Sequence, residues 1–119
     1  MAKPVKIAIK NEGSITVIEI QEPDILDEVL INGLFEALCA ILERNRPQHL
    51  VVSFAPVQHL SSMALGMLVR LQKRAGDARA TLKLCDIKPF LRQVFQITKL
   101  DKVLSIYDTE NAALDSLGA

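Results

Sequence analysis

The chain opens on a two-residue rhythm: Val5, Ile7 and Ile9 alternate with Lys6, Ala8 and Lys10, as in a strand with one covered face. Asn11-Glu12-Gly13 reads as a turn in which Gly13 can take a positive φ, and Ser14 to Ile20, rich in β-branched residues, reads as the returning strand. Together they predict an antiparallel hairpin. Pro23 and Asp24 break the pattern, and Asp27 is placed to cap a helix. From Glu28 to Arg44 the period changes, because Ile31, Leu34, Phe35, Leu38, Ile41 and Leu42 recur at three- and four-residue steps and so form one buried helix face. Arg44 and Arg46 suit the negative end of that helix, and Asn45 and Pro47 close it.

His49 to Phe54 is a nearly continuous apolar run, the pattern of a strand covered on both faces. A loop from Ala55 to Leu60 leads into a helix from Ser62 to Ala75, ended by Gly76. Ala80 to Cys85 is a further strand, and Pro89 opens a helix expected to carry Phe90, Leu91, Val94 and Phe95 inward. Val103 to Ile106 predicts a last strand, after which Asp108 is placed to cap a terminal helix through Leu117. The order is β-β-α-β-α-β-α-β-α, an α/β fold. Its expected form is a mixed sheet, an antiparallel hairpin followed by a parallel βαβαβ part with right-handed crossovers, under about four covering helices. At 119 residues, with no linker, repeat or low-complexity stretch, residues 1–119 are expected to form one domain.

Composition narrows the class. Half the residues are apolar but only 4% are aromatic, so the core must be built from Leu, Ile, Val and Ala. Fourteen basic residues balance fourteen acidic ones, without the basic excess that nucleic acid or anionic lipid requires. The opening Lys3-Pro4-Val5-Lys6 is unlike a signal peptide and no apolar run approaches bilayer length, so a cytoplasmic protein without direct membrane insertion is expected. Cys39 and Cys85 form no C-x-x-C pair and read as buried thiols of a reducing compartment.

Familiar catalytic patterns are missing. The five glycines form neither a dinucleotide nor a nucleoside-triphosphate cradle, and His49 and His59 have no acidic partners at metal-ligand spacing, so no cofactor or metal is expected. Asp24, Asp27 and Glu28 are explained by capping and the helix dipole. A phosphorelay receiver needs an acceptor Asp after its third strand, where this chain has Ala55-Pro56-Val57. A hydrolase would need a base and an orienting acid beside Ser62, and the sequence offers no such partnership. What stands out is Leu60-Ser61-Ser62-Met63-Ala64-Leu65-Gly66-Met67-Leu68, a serine pair opening a helix where backbone N–H groups lack partners and the dipole is positive. A serine N-cap, worth about 1 kcal/mol, is the plain explanation. Met63, Met67 and Leu71 recur at four-residue steps on that helix, either as core or as an adaptable contact patch, and Arg70, Lys73 and Arg74 read as a solvated cluster matched to the dipole.

In register, Ser61 to Gly66 resembles the Asp-Ser-Ser-Gly-Leu-Gly motif at the start of the second helix of the STAS family, best known from bacterial anti-sigma-factor antagonists (anti-anti-sigma factors). Leu82-Lys83-Leu84-Cys85 with Pro89 and Phe95 resembles the family's fourth strand and third helix, and Ile97-Thr98-Lys99-Leu100-Asp101 its turn before the last strand. The resemblance spans Val5 to Leu117. Ser61 stands in place of the motif Asp, Met63 in place of its second Ser and Ala64 in place of its first Gly. The resemblance implies a binding protein rather than an enzyme, with Ser62 as phosphoacceptor and Ser61, Met63, Ala64, Leu65, Gly66 and Met67 as the surrounding partner surface. The implied partners are an anti-sigma factor that is also a serine kinase of the histidine-kinase-like ATPase type, and a PP2C-type phosphatase. The implied process is sigma-factor-dependent transcription, regulated by partner exchange. Phosphate on Ser62 would add roughly −1.5 to −2 charges at a helix N-terminus. The family also contains constitutive subunits of lipid-transport ABC complexes and stress-signalling assemblies, in which Ser62 would be only a cap or contact residue.

Overall fold

A computed structural model describes residues 5–118, so Lys3 and Pro4 lie outside the described residues. The hairpin forms as β1 (Ile7–Glu12) and β2 (Ile15–Ile20), antiparallel from Ile7 opposite Ile20 to Glu12 opposite Ile15. Gly13 turns the chain at φ +62°, a conformation that suits a residue without Cβ. β1 is an edge strand, and Ile9 remains exposed where helical cover runs out.

From β2 the sheet continues in parallel through β4 (His49–Ser53), β6 (Thr81–Cys85) and β7 (Ser105–Tyr107), in the order β1-β2-β4-β6-β7. Alternate residues of each strand enter opposite layers. Ile18, Ile20, Leu50, Val52, Leu82 and Leu84 pack with buried side chains of α1 (Glu28–Asn45), α2 (Ser62–Asp77) and α3 (Pro89–Ile97). Ile15, Val17, Val51 and Cys85 pack on the other face with Tyr107 of β7, with Ala113 and Leu114 of the short α4 (Glu110–Ser116), and with Leu117 just past its end. The mixed sheet and the four helices agree with the sequence-based expectation.

Several local expectations are corrected. The break at Asp24 and the loop before Ser61 contain two short strands, β3 (Asp24–Ile25) and β5 (His59–Leu60), paired in parallel as a separate ribbon. The order is therefore β-β-β-α-β-β-α-β-α-β-α. A two-residue strand is too short to imprint a period on the sequence. Gly76 does not end α2, which runs to Asp77, and the left-handed turn falls instead on Arg79 at φ 60°. α4 is capped by Thr109, whose hydroxyl accepts from the Ala112 N–H at 3.0 Å, and not by Asp108. β7 begins at Ser105 rather than Val103, after a 3-10 turn over Leu100–Lys102. On α3, Leu91 and Phe95 are buried, whereas Phe90 and Val94 face outward. The apolar positions of this helix form two stripes, and the sheet has room for only one.

Candidate functional site

The site is built at the C-terminal edge of the parallel strands. Leaving β4, the Ser53 hydroxyl donates to the Asp86 carboxylate at 2.8 Å and the Phe54 N–H donates to the Cys85 carbonyl at 3.0 Å. These bonds tie the chain to the end of β6. The following loop is stitched to the segment before α1. Gln58 and His59 N–H groups donate to the Pro23 carbonyl at 2.7 and 3.1 Å, and the Ser61 N–H donates to the Ile25 carbonyl at 3.1 Å. His59 Nδ1 lies 2.6 Å from the Asp24 carboxylate across the β3-β5 ribbon. The loop thus reaches α2 with its last residues held by main-chain bonds.

The two serines are then given different work. Ser61 is the N-cap, extended at φ −83° and ψ 167°, and its Oγ accepts from the Ala64 N–H at 3.1 Å. Ser62 is the first helical residue, exposed, and its hydroxyl takes no part in the cap. Because the cap falls to its neighbour, the Ser62 Oγ stands at the positive end of a sixteen-residue helix.

Of the residues expected around Ser62 as a partner surface, only some are available to one. Met63 is 44% exposed and Gly66 is exposed, whereas Ala64, Leu65 and Met67 are buried, Met67 to 1%. Leu68 and Leu71 are buried as well, so the methionine stripe is core except at Met63. The reason is helical geometry: positions 64, 65, 67, 68 and 71 share the face pressed between α1 and the sheet. A Cβ added at Gly66 would meet nothing within 4 Å, so this glycine leaves open space on the outer face.

Sequence reasoning missed the other half of the surface. Leu26 and Val29 are exposed apolar side chains next to β3 and in the first turn of α1, brought to this end of the molecule by the Ile25–Leu60 pairing. Asp24, Asp27 and Glu28 flank them along the chain, and Asp27 caps α1 by accepting from the Leu30 N–H at 3.0 Å. A pair of apolar residues within a run of acids was the available signal, and capping absorbed it.

The thiols stay out of this chemistry. Burial, followed by the neighbouring Asp86, pushes Cys85 up to about 12, and burial also raises Cys39, so neither offers a ready thiolate. Among the described residues no group of three or more His, Cys, Asp or Glu side chains could hold a metal ion, and no helix is long and apolar enough to cross a membrane.

A family model for the STAS domain matches residues 6–113. The chain belongs to the STAS domain family. It is similar to an anti-sigma F factor antagonist of Paenibacillus polymyxa, 28% identical over 76 residues that span 64% of this chain and 65%, just under two thirds, of that relative. The fold matches an anti-sigma factor antagonist from Mycobacterium paratuberculosis with a TM-score of 0.83 at 21% identity, over 100% of both chains. It also matches Bacillus SpoIIAA in its unphosphorylated form, with a TM-score of 0.68 at 16% identity, over 96% of this chain and 99% of that one.

Proposed function

We propose that this domain is an anti-sigma factor antagonist that acts by binding, without catalysis of its own, and that reversible phosphorylation of Ser62 switches its partner. The observation that carries the reading is the division of labour at α2: Ser61 holds the cap, leaving the Ser62 hydroxyl exposed at the position that the motif resemblance assigns to the acceptor. The Paenibacillus relative is named an anti-sigma F factor antagonist, and SpoIIAA is known in both unphosphorylated and phosphorylated forms.

The docking surface of this reading is smaller than the motif and extends beyond it. Leu26, Val29 and Met63 supply apolar contact, Gly66 permits close approach, and Ser62 adjoins Met63 in the first turn of α2. Ala64, Leu65 and Met67 support that surface from below. The partner is an anti-sigma factor that doubles as a serine kinase of the histidine-kinase-like ATPase type. In its active site the Ser62 Oγ attacks the γ-phosphorus of ATP, the bond to the bridging oxygen breaks, ADP leaves, and the hydroxyl proton passes to a kinase base. The product carries roughly −1.5 to −2 charges, which a helix N-terminus accepts with little rearrangement but which are costly to bury beneath a docked protein. Release frees the anti-sigma factor to hold its sigma factor again, and a PP2C-type phosphatase reverses the state by hydrolysis. The protein then acts in the cytoplasm, where these partners work.

The test is incubation with the cognate kinase and ATP, followed by intact-mass and peptide analysis. One added phosphate on Ser62, absent in Ser62→Ala, supports the reading, and no added phosphate with an active kinase refutes it. One observation favours a second reading. Ser61 leaves the acceptor without the motif carboxylate, which suits a constitutive subunit of an ABC transport or stress-signalling assembly. Stable co-purification with such an assembly, unchanged by Ser62→Asp, would support that alternative.

A further inference from the structure

Eight large apolar side chains are exposed among the described residues, and four of them, Phe90, Val94, Ile97 and Val103, fall in one short stretch. Steps of four and three place Phe90, Val94 and Ile97 on one stripe of α3, beside the buried Leu91 and Phe95. Phe90 is 51% and Ile97 80% exposed. Around this stripe the basic Lys88, Arg92, Lys99 and Lys102 outnumber the acidic Asp101 and Asp108. Lys88 donates to the Ala55 carbonyl and Arg92 pairs with Asp108, while Lys99 and Lys102 are exposed beyond the helix end.

A second exposed apolar group has the opposite surroundings. Leu26, Val29 and Met63 are accompanied by Glu22, Asp24, Asp27 and Glu28, with His59 held on Asp24. The chain as a whole is balanced at fourteen charges of each sign, so the two surfaces are local excesses of opposite sign. Each carries apolar side chains that fit the other, while two basic or two acidic surfaces would repel.

We propose that the α3 surface of one chain docks on the Leu26–Val29–Met63 surface of a second copy. The contact joins unlike patches, and each copy offers one of each to a neighbour. In that state Ser62 is covered by the second copy's α3, so self-association and docking of any other protein at Ser62 exclude one another. The association itself rests on neither phosphorylation nor sigma-factor regulation, so it stands or falls separately from the proposed function.

Sedimentation velocity on the whole chain, from micromolar to millimolar concentration and at low and high salt, tests this. Reversible association that weakens with salt is expected. Ile97→Asp, at a position exposed enough to leave folding intact, should weaken it about tenfold or more, as loss of a central apolar contact does. Lys99→Glu with Lys102→Glu should also weaken it, and adding Glu22→Lys with Glu28→Lys should restore it, with circular dichroism confirming the fold of every variant. A monomer at all concentrations, association indifferent to Ile97→Asp, or a charge swap that restores nothing would overturn the proposal. A monomer that binds phosphatidylserine vesicles through Ile97 would also overturn it, assigning the stripe to a lipid surface. So would a monomer that binds a synthetic acidic amphipathic helix through Ile97, assigning the stripe to a foreign protein.

Discussion

Replacing Ser61 and Ser62 by alanine, one at a time, separates the helix cap from the proposed phosphoacceptor. The Ser61 Oγ accepts from the Ala64 N–H at 3.1 Å at a half-buried helix entry. Ser61→Ala leaves that donor without its partner, which costs about 1 kcal/mol and up to about 2 in unfavourable settings. For a domain of this size 1 kcal/mol corresponds to about 3–6 °C in Tm. Ser61→Gly should cost only a few tenths, because glycine lets water reach the orphaned donor. Ser62 is at the first helical position and exposed, so Ser62→Ala exchanges one surface residue for a better helix former and should stay within about 0.5 kcal/mol of the parent. Phosphorylation should rank the pair in the opposite order, Ser61→Ala accepting phosphate and Ser62→Ala none. Thermal and urea melts with intact-mass analysis read both. Equal destabilisation by the two alanines, or loss of phosphorylation in a folded Ser61→Ala protein, would refute the assignment.

The same geometry has other consequences. Gly66→Ala has open space for its Cβ in mid-helix and should stabilise by about 0.5–1 kcal/mol in a urea titration, while weakening any partner that approaches this backbone closely. Phe95→Ala should cost about 3–5 kcal/mol, whereas Phe90→Ala on the outer stripe should leave the urea midpoint within about 0.5 kcal/mol of the parent. Cys85 is raised from 9.0 to about 12 in the native state, so the unfolded chain loses its proton first. This contribution to stability is fully present below about pH 9 and is lost as pH rises towards about 12. The urea midpoint should therefore fall more steeply above pH 9 for the parent than for Cys85→Ala, and a thiol reagent at pH 8 should label Cys85 only on unfolding.

The large elements could be read from the sequence because each imposed its period on many residues. α1 shows six buried positions at helical spacing, and β4 shows a nearly continuous apolar run because layers cover both its faces. The β3-β5 ribbon could not be read this way. Two residues carry no period, and the ribbon exists through tertiary bonds from residues 58, 59 and 61 to the Pro23 and Ile25 carbonyls. The serine pair was legible as a helix start, but which hydroxyl caps depends on where the ribbon releases the chain. Phe90 and Val94 misled for a different reason. Their spacing is helical, and only packing decides which of two apolar stripes the sheet accepts. Leu26 and Val29 joined the candidate surface by the same tertiary route, through a partner strand more than thirty residues away in the chain.

The most direct measurement of the central claim is a calorimetric titration of the cognate anti-sigma factor. One arm uses the unmodified chain and the other the chain phosphorylated to completion on Ser62, both checked by intact mass. Charge introduced at the leading turn of α2 should weaken binding by about tenfold or more, equivalent to about 1.4 kcal/mol. Equal affinity of the two forms would contradict the switch and leave Ser62 as a surface hydroxyl beside its capping neighbour.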